Sequence, residues 1–204
     1  MVDLFNYTRR ASSVAHIGSL DLGGDNPVRI QSMTTTNTND TEACIRQAEE
    51  IIKAGGELVR FTTQGSREAE NMKNINAGIR ADGYLTPLVA DVHFNPNVAD
   101  VAALYCEKVR VNPGNYVDPA RKFIKQEYTD EEYAHELQKI EDRFVPFLNI
   151  CKENHTAIRI GVNHGSLSDR IRNRYGDTPE GIVESCMEFL RICKKENFHD
   201  VVIS

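Results

Sequence analysis

Apolar residues alternate with polar ones in six short runs: VRIQSM (28–33), ELVRFTT (57–63), PLVADVH (87–93), KVRVNP (108–113), AIRIGVN (157–163) and DVVIS (200–204). Each is rich in β-branched residues and has the length of a strand. Ahead of them, SSVAHIGSLDLGGDNP places Val14 and Ile17 before Gly18-Ser19 and Leu20 and Leu22 after it, which predicts a short hairpin. Between the runs the pattern changes to a helical period. Asp40 caps TEACIRQAEEIIKAGG, where Cys44, Ile45, Ala48, Ile51 and Ile52 form one stripe and Gly55-Gly56 closes the end. Ser66 is placed to cap the next helix, Asn95-Pro96 opens another, and Thr178-Pro179 opens EGIVESCMEFLRICKKEN.

Repeated strand–helix alternation implies parallel strands joined by right-handed crossovers. An open doubly wound sheet and a closed barrel both satisfy it, and the strand faces decide. Val109 and Val111 oppose Lys108, Arg110 and Asn112; Ile158, Ile160 and Val162 oppose Arg159, Gly161 and Asn163. Val59 and Phe61 oppose Arg60 and Thr62, and Leu88, Ala90 and Val92 oppose Asp91 and His93. A sheet covered by helices on both faces should be apolar on both. One greasy face and one that turns polar toward the strand ends predicts a (β/α)8 TIM-type barrel, with its site at the C-terminal ends of the strands. Six strands of eight make residues 1–204 an incomplete, N-terminal portion of that barrel, a fragment cut inside it. The connection at about 115–156 is long. Asp118-Pro119 opens one predicted helix and TDEEYAHELQKIEDRF forms a second, with Thr129 and Glu132 as a capping box. It reads as a polar, solvated excursion without chemistry.

Composition narrows the function classes. A chain of 204 residues that is 40% hydrophobic and carries a net charge of −6 has room for one sizeable core and no basic run for nucleic acid. No stretch reaches the length of a membrane span, and no apolar segment follows MVDLFNYTRR, so a soluble, cytoplasmic protein is expected. The cysteines (Cys44, Cys106, Cys151, Cys186, Cys193) are odd in number and none are paired as CxxC. They read as buried, reduced thiols, with no metal site in this chain.

Arg60, Arg110 and Arg159 occupy central inward positions on separate strands. An ion pair with Asp91 accounts for one of them. Three lack matching carboxylates on the same faces, and buried unpaired cations are costly, so an anion is expected among them. Guanidinium forks suit phosphate oxygens. Asn112 and Asn163 add amides, Thr62 and Thr63 hydroxyls, and Gly114 and Gly165 allow close backbone approach. The site is read as one for a small polyanion such as a diphosphate. Asp91 and His93, on one face of one strand, are candidates for an acid–base pair, a partial metal site, or an arginine partner beside a ligand-bonded imidazole.

IQSMTTTNTND, LVADVHF, VRVNPGN and RIGVNHGSLSDRIRNRYGDTP, in that order, resemble 4-hydroxy-3-methylbut-2-enyl diphosphate synthase, the iron–sulfur enzyme of the non-mevalonate isoprenoid pathway, from about Arg10 to Ser204. The long 115–156 connection is similar to that of the longer, plant-type form, which carries an insert domain. The resemblance implies a barrel that binds 2-C-methyl-D-erythritol 2,4-cyclodiphosphate through Arg60, Arg110, Asn112, Arg159 and Asn163, with Asp91 and His93 lining the pocket. It implies a separate domain holding a [4Fe-4S] cluster on three Cys and one Glu, reduced by ferredoxin or flavodoxin, and a possible homodimer. The remaining barrel, insert domain and cluster motifs, and a lysine just after the sixth strand, fall outside this chain, so the fragment alone is expected to be inactive. Two other readings are a phosphate-handling barrel resembling pterin synthases and a non-catalytic anion-binding fragment.

Overall fold

The computed structural model describes residues 6, 10–118 and 127–204. The predicted hairpin is present: β1 (Val14–Ile17) pairs antiparallel with β2 (Leu20–Gly23). Its two-residue turn needs a positive φ at Gly18 (+57°), and a Cβ there would lie 2.8 Å from Cγ of Glu107.

Then follow β3 (Gln31–Met33), α1 (Thr41–Lys53), β4 (Leu58–Thr62), α2 (Ser66–Ala81), β5 (Leu88–Asp91), α3 (Pro96–Ala103), β6 (Lys108–Val111), α4 (Asp130–Asn154), β7 (Ala157–Ile160), α5 (Asp169–Tyr175), α6 (Pro179–Lys195) and β8 (Val201–Ile203). The last six strands form one parallel sheet in chain order, β3-β4-β5-β6-β7-β8. Chain order without reversal is the topology of a barrel rather than a doubly wound sheet. The sheet curls: Lys108 Nζ on β6 reaches Gln31 Oε1 on β3 at 3.2 Å, across two intervening strands. The fold is an incomplete α/β barrel.

The strand faces sort as the alternation predicts. Val59, Phe61, Ala90, Val109, Ile158 and Ile160 are fully buried under the outer helices. At the N-terminal end of the strands the hairpin is a plug. Its Ile17 and Leu20 pack on Leu58, Val89 and Ala157, and the backbone N–H of His16 donates to Asp200 at 2.8 Å. The plug leaves the C-terminal end as the mouth. The run 28–33 is strand only from Gln31; Val28 and Ile30 are exposed at the sheet edge.

Asp40, Asn95, Thr129 and Thr178 cap their helices through side-chain oxygens. Ser66 does not: Gly65 is the cap residue, and the Glu68 carboxylate accepts from the N–H groups of Gln64 and Gly65. The larger correction concerns the 115–156 connection. Its second helix runs to Asn154, through Pro146, and buries Ile140, Phe144, Phe147, Leu148 and Cys151 in the main core. Phe144 stacks edge-on with Tyr116 and Phe189. This half of α4 is the barrel's own crossover helix between β6 and β7, not a solvated excursion. The helix expected from Asp118-Pro119 lies outside the described residues.

Candidate functional site

Register places the charged residues side by side. Asp91 pairs with Arg110 between β5 and β6, and Arg110 with Arg159 between β6 and β7. All point to the concave face, as does Arg60 on β4.

Asp91, 1% exposed, is the hub. One carboxylate oxygen accepts from Arg60 Nη2 and, at 3.0 Å, from His93 Nε2; the other accepts from Arg110 Nη1 at 3.3 Å. Burial works to raise the Asp91 carboxyl, but Arg60 and His93 outweigh it and hold the group below the usual carboxylate range. His93 sits between two partners. Arg110 Nη1 lies 3.0 Å from its Nδ1 and 3.2 Å from its Nε2, so the ring is wedged between the carboxylate and the guanidinium.

Arg110 is nearly buried. Its Nη2 donates to the Gly161 carbonyl at 2.9 Å. Burial lowers its pKa, with Asp91 opposing and Arg60 adding to the effect. Arg159 differs. Among the described residues no carboxylate forms a salt bridge with it; its Nε donates to Ser204 Oγ at 2.9 Å. Burial, then Arg60 and Arg110, lower its pKa. The three predicted arginines therefore converge; Arg60 and Arg110 share the buried Asp91 carboxylate, and Arg159 stands beside them without one among the described residues.

The asparagine oxygens are engaged in the loops that follow their strands. Asn112 Oδ1 accepts from Gly114 N–H at 3.3 Å and Asn163 Oδ1 from Gly165 N–H at 2.9 Å. Each caps a single 3-10 turn, Pro113–Asn115 or His164–Ser166. Asn112 Nδ2 also donates to Ser166 Oγ at 2.8 Å, tying the loops after β6 and β7 together. The N–H groups of Gly114 and Gly165 are thus given to asparagines. A Cβ on Gly114 would lie 1.7 Å from the Ser166 carbonyl, so that glycine serves loop–loop contact. Thr63 turns its hydroxyl to the Phe61 carbonyl, and Thr62 accepts from Thr38 through its backbone oxygen.

Sequence reasoning missed four groups. Gln47 accepts from the N–H groups of Thr35 and Thr36, and Asn71 donates to the Thr38 carbonyl, fastening the loop after β3 at the mouth. Behind the later loops, Arg170 forks onto Glu188 at 2.6 and 2.8 Å and onto Asp118 at 3.2 and 3.3 Å, while Tyr133 donates to Glu188. Lys108 lies on the inner face below the arginines, 3% exposed. Its position on the polar face of KVRVNP was the available signal.

Whole-chain comparisons agree with the fold. The model of the GcpE TIM-barrel domain matches residues 12–204. The chain belongs to the GcpE TIM-barrel family. It is 75% identical over 203 residues to the 4-hydroxy-3-methylbut-2-en-1-yl diphosphate synthase (flavodoxin) of Phocaeicola vulgatus, covering all of this chain and 33% of that protein. It is 49% identical over 200 residues to the synthase of the same name from Akkermansia muciniphila, covering 98% of this chain and 34% of that protein. The chain thus spans about a third of the length of the curated relatives it matches. A truncated 3-deoxy-D-arabino-heptulosonate 7-phosphate synthase from Thermotoga maritima superposes with a TM-score of 0.56 at 11% identity, over 95% of this chain and 56% of that one, a likeness of fold alone.

This part of a GcpE barrel does not itself fit an iron–sulfur cluster. Among the described residues no three His, Cys, Asp or Glu side chains group to hold a metal. Burial raises the thiols of Cys44, Cys106, Cys151 and Cys186 and pushes Cys193 up to about 12, the opposite of what a thiolate ligand needs. None of its described helices is long and apolar enough to cross a membrane.

Proposed function

We propose that this chain is the substrate-binding barrel portion of a 4-hydroxy-3-methylbut-2-enyl diphosphate synthase, and that its concave face holds the diphosphate of 2-C-methyl-D-erythritol 2,4-cyclodiphosphate. The observation that carries the reading is the charge inventory of that face among the described residues: Arg60, Arg110, Arg159 and Lys108 against the buried carboxylate of Asp91. Cations gathered at a barrel mouth in such excess are stabilised by a multiply charged anion. Identity over the whole chain to synthases supports this substrate over that of a pterin-type barrel.

In this reading Arg159 and the outer edge of Arg60 contact phosphate oxygens directly. Arg110, tied to Asp91, His93 and Gly161, fixes the depth of the site, and Asn112 and Asn163 shape the two loops that frame it. His93, a third exposed, is the group of the Asp91–His93 pair that can meet substrate. The described residues bind and orient; no electron-transfer step is assigned to them. Flavodoxin, the donor in the relatives' names, would serve the enzyme as a whole, and the same proposal gives that enzyme a [4Fe-4S] cluster and a cytoplasmic setting.

The test is calorimetric titration of the full-length protein with the cyclic diphosphate, and of an Arg159→Met variant. Micromolar binding by the former, weakened at least tenfold in the latter, supports the reading. Equal binding by both would remove the arginine face from the substrate site.

A further inference from the structure

Lys108 begins β6 and turns inward beneath the arginines. Register sets Lys108 beside Val89 and Ala157, which with Leu58 pack on Ile17 and Leu20 of the hairpin. The hydrogen-bond partner of its Nζ is the amide oxygen of Gln31, at 3.2 Å. Among the described residues no carboxylate lies within salt-bridge distance of it. The groups facing it from the surrounding strands are Gln31 on β3, Arg60 on β4, Asp91 on β5, Arg110 on its own strand and Arg159 on β7. Asp91 is already occupied by Arg60, Arg110 and His93. An ammonium buried among cations and apolar carbon is costly in the empty protein. A doubly or triply charged anion against Arg60 and Arg159 reverses the local field, and the same ammonium then becomes favourable.

We propose that Lys108 is a positioning residue whose protonation is coupled to occupancy of the anion site: a diphosphate bound against Arg60 and Arg159 draws a proton from solvent onto the Lys108 amine, and the resulting ammonium holds both guanidinium groups toward the mouth. The inference rests on the diphosphate reading. Its direction agrees with the group's titration. Burial, then Arg159 and Arg60, lower the Lys108 pKa to about 8, so near that pH the empty protein is divided between amine and ammonium. A positively charged residue without this coupling, such as arginine, would stay charged in both states.

Isothermal titration of the full-length protein with inorganic pyrophosphate at pH 7, 8 and 9 tests this, in two buffers of different ionisation enthalpy. The wild type is compared with Lys108→Arg and Lys108→Met, and folding of each variant is checked by its melting temperature. Pyrophosphate's own protonation is common to all three. Between pH 7 and 9 wild-type affinity should fall by up to about tenfold more than that of either variant, the change expected when a group of pKa about 8 must be protonated. At pH 8 the wild type should take up about half a proton more per pyrophosphate than the variants. Lys108→Met should bind more weakly than wild type at pH 7. If Lys108→Arg does not fold, wild type against Lys108→Met carries the comparison. Parallel pH slopes and equal proton uptake would overturn the proposal for Lys108 and leave the diphosphate reading standing. Absence of pyrophosphate binding by the wild type at every pH would overturn both.

Discussion

Arg110 lies across Gly161 of the neighbouring strand: its Nη2 donates to the Gly161 carbonyl at 2.9 Å, and a Cβ at position 161 would come within 2.4 Å of its Nε. The glycine leaves room on β7 for the Arg110 stem, while Nη1 turns the other way to Asp91 on β5. The atom in the way is on a side chain, so Gly161→Ala should move Arg110 rather than the sheet. We expect pyrophosphate affinity to fall by about 10- to 100-fold, because a displaced Arg110 alters the depth and charge of the site, while the protein stays folded. Calorimetry together with a thermal melt checks it; unchanged affinity would mean that Arg110 is not needed at its observed position.

Arg110 and Arg159 should separate under substitution. Arg159 has no carboxylate partner among the described residues and is opposed by Arg60 and Arg110. Replacing it with Met should weaken anion binding by about 10- to 100-fold and leave the melting temperature unchanged or raised. Arg110→Ala should lower both, because Asp91, His93 and the Gly161 carbonyl all lose a donor. Urea titrations of both variants, set beside their pyrophosphate affinities, distinguish the two patterns.

Asp91 carries the acid sensitivity of the site. Its carboxyl is held below its ordinary value of 3.8. A depressed carboxylate contributes stability that is complete above the unfolded-state value and is lost as pH falls through the folded one, here below about pH 4. Asp91→Asn should cost roughly 3–5 kcal/mol at neutral pH, since the arginines keep their charge without their partner. Pyrophosphate should raise the melting temperature of Asp91→Asn more than that of wild type, because it supplies the missing negative charge. Equal shifts would show that the anion does not reach this hub.

The barrel, its mouth and the convergence of Arg60, Arg110 and Arg159 were legible because strand parity alone sets them. Other features required distance. Asn112 and Asn163 read as ligand donors, yet each begins an Asn-x-Gly sequence at a strand end. That spacing is one of a capped turn, and the repeat on adjacent strands could have revealed it. The second half of α4 was hidden by Pro146, ordinarily a helix breaker, and by the charged stretch before it. Lys108 stood on the correct face, but its lack of a carboxylate partner depends on what the curl of the sheet brings near it. The cluster around Arg170 joins residues up to 70 positions apart, from Asp118 to Glu188, and no local pattern encodes it.

That cluster yields the last prediction. Arg170 and Glu188 are each 2% exposed and meet through two parallel hydrogen bonds; Asp118 covers the guanidinium from the loop after β6, and Tyr133 of α4 stacks on it at 4.7 Å. Asp118 and Glu188 outweigh burial and raise the Arg170 pKa, so the guanidinium stays charged at every pH at which the fold survives. Glu188→Gln leaves that charge facing a neutral amide and replaces one of the two oxygens that accept from Arg170 and Tyr133 with a donor. A loss of about 3–5 kcal/mol is expected. Arg170→Met should cost a similar amount, because it strands two buried carboxylates. The double variant Arg170→Met with Glu188→Gln should cost less than the sum, because only Asp118, and no longer Glu188, is then left without its cation. Urea denaturation of the four proteins measures the coupling. Pyrophosphate affinity should change little in Glu188→Gln once allowance is made for the unfolded fraction, because Asn112 and Ser166 still join the loops at the mouth. A coupling energy near zero would mean that the helices are held by their apolar faces alone, and that Phe144 and Phe189, not the ion pair, set the position of α4 against α6.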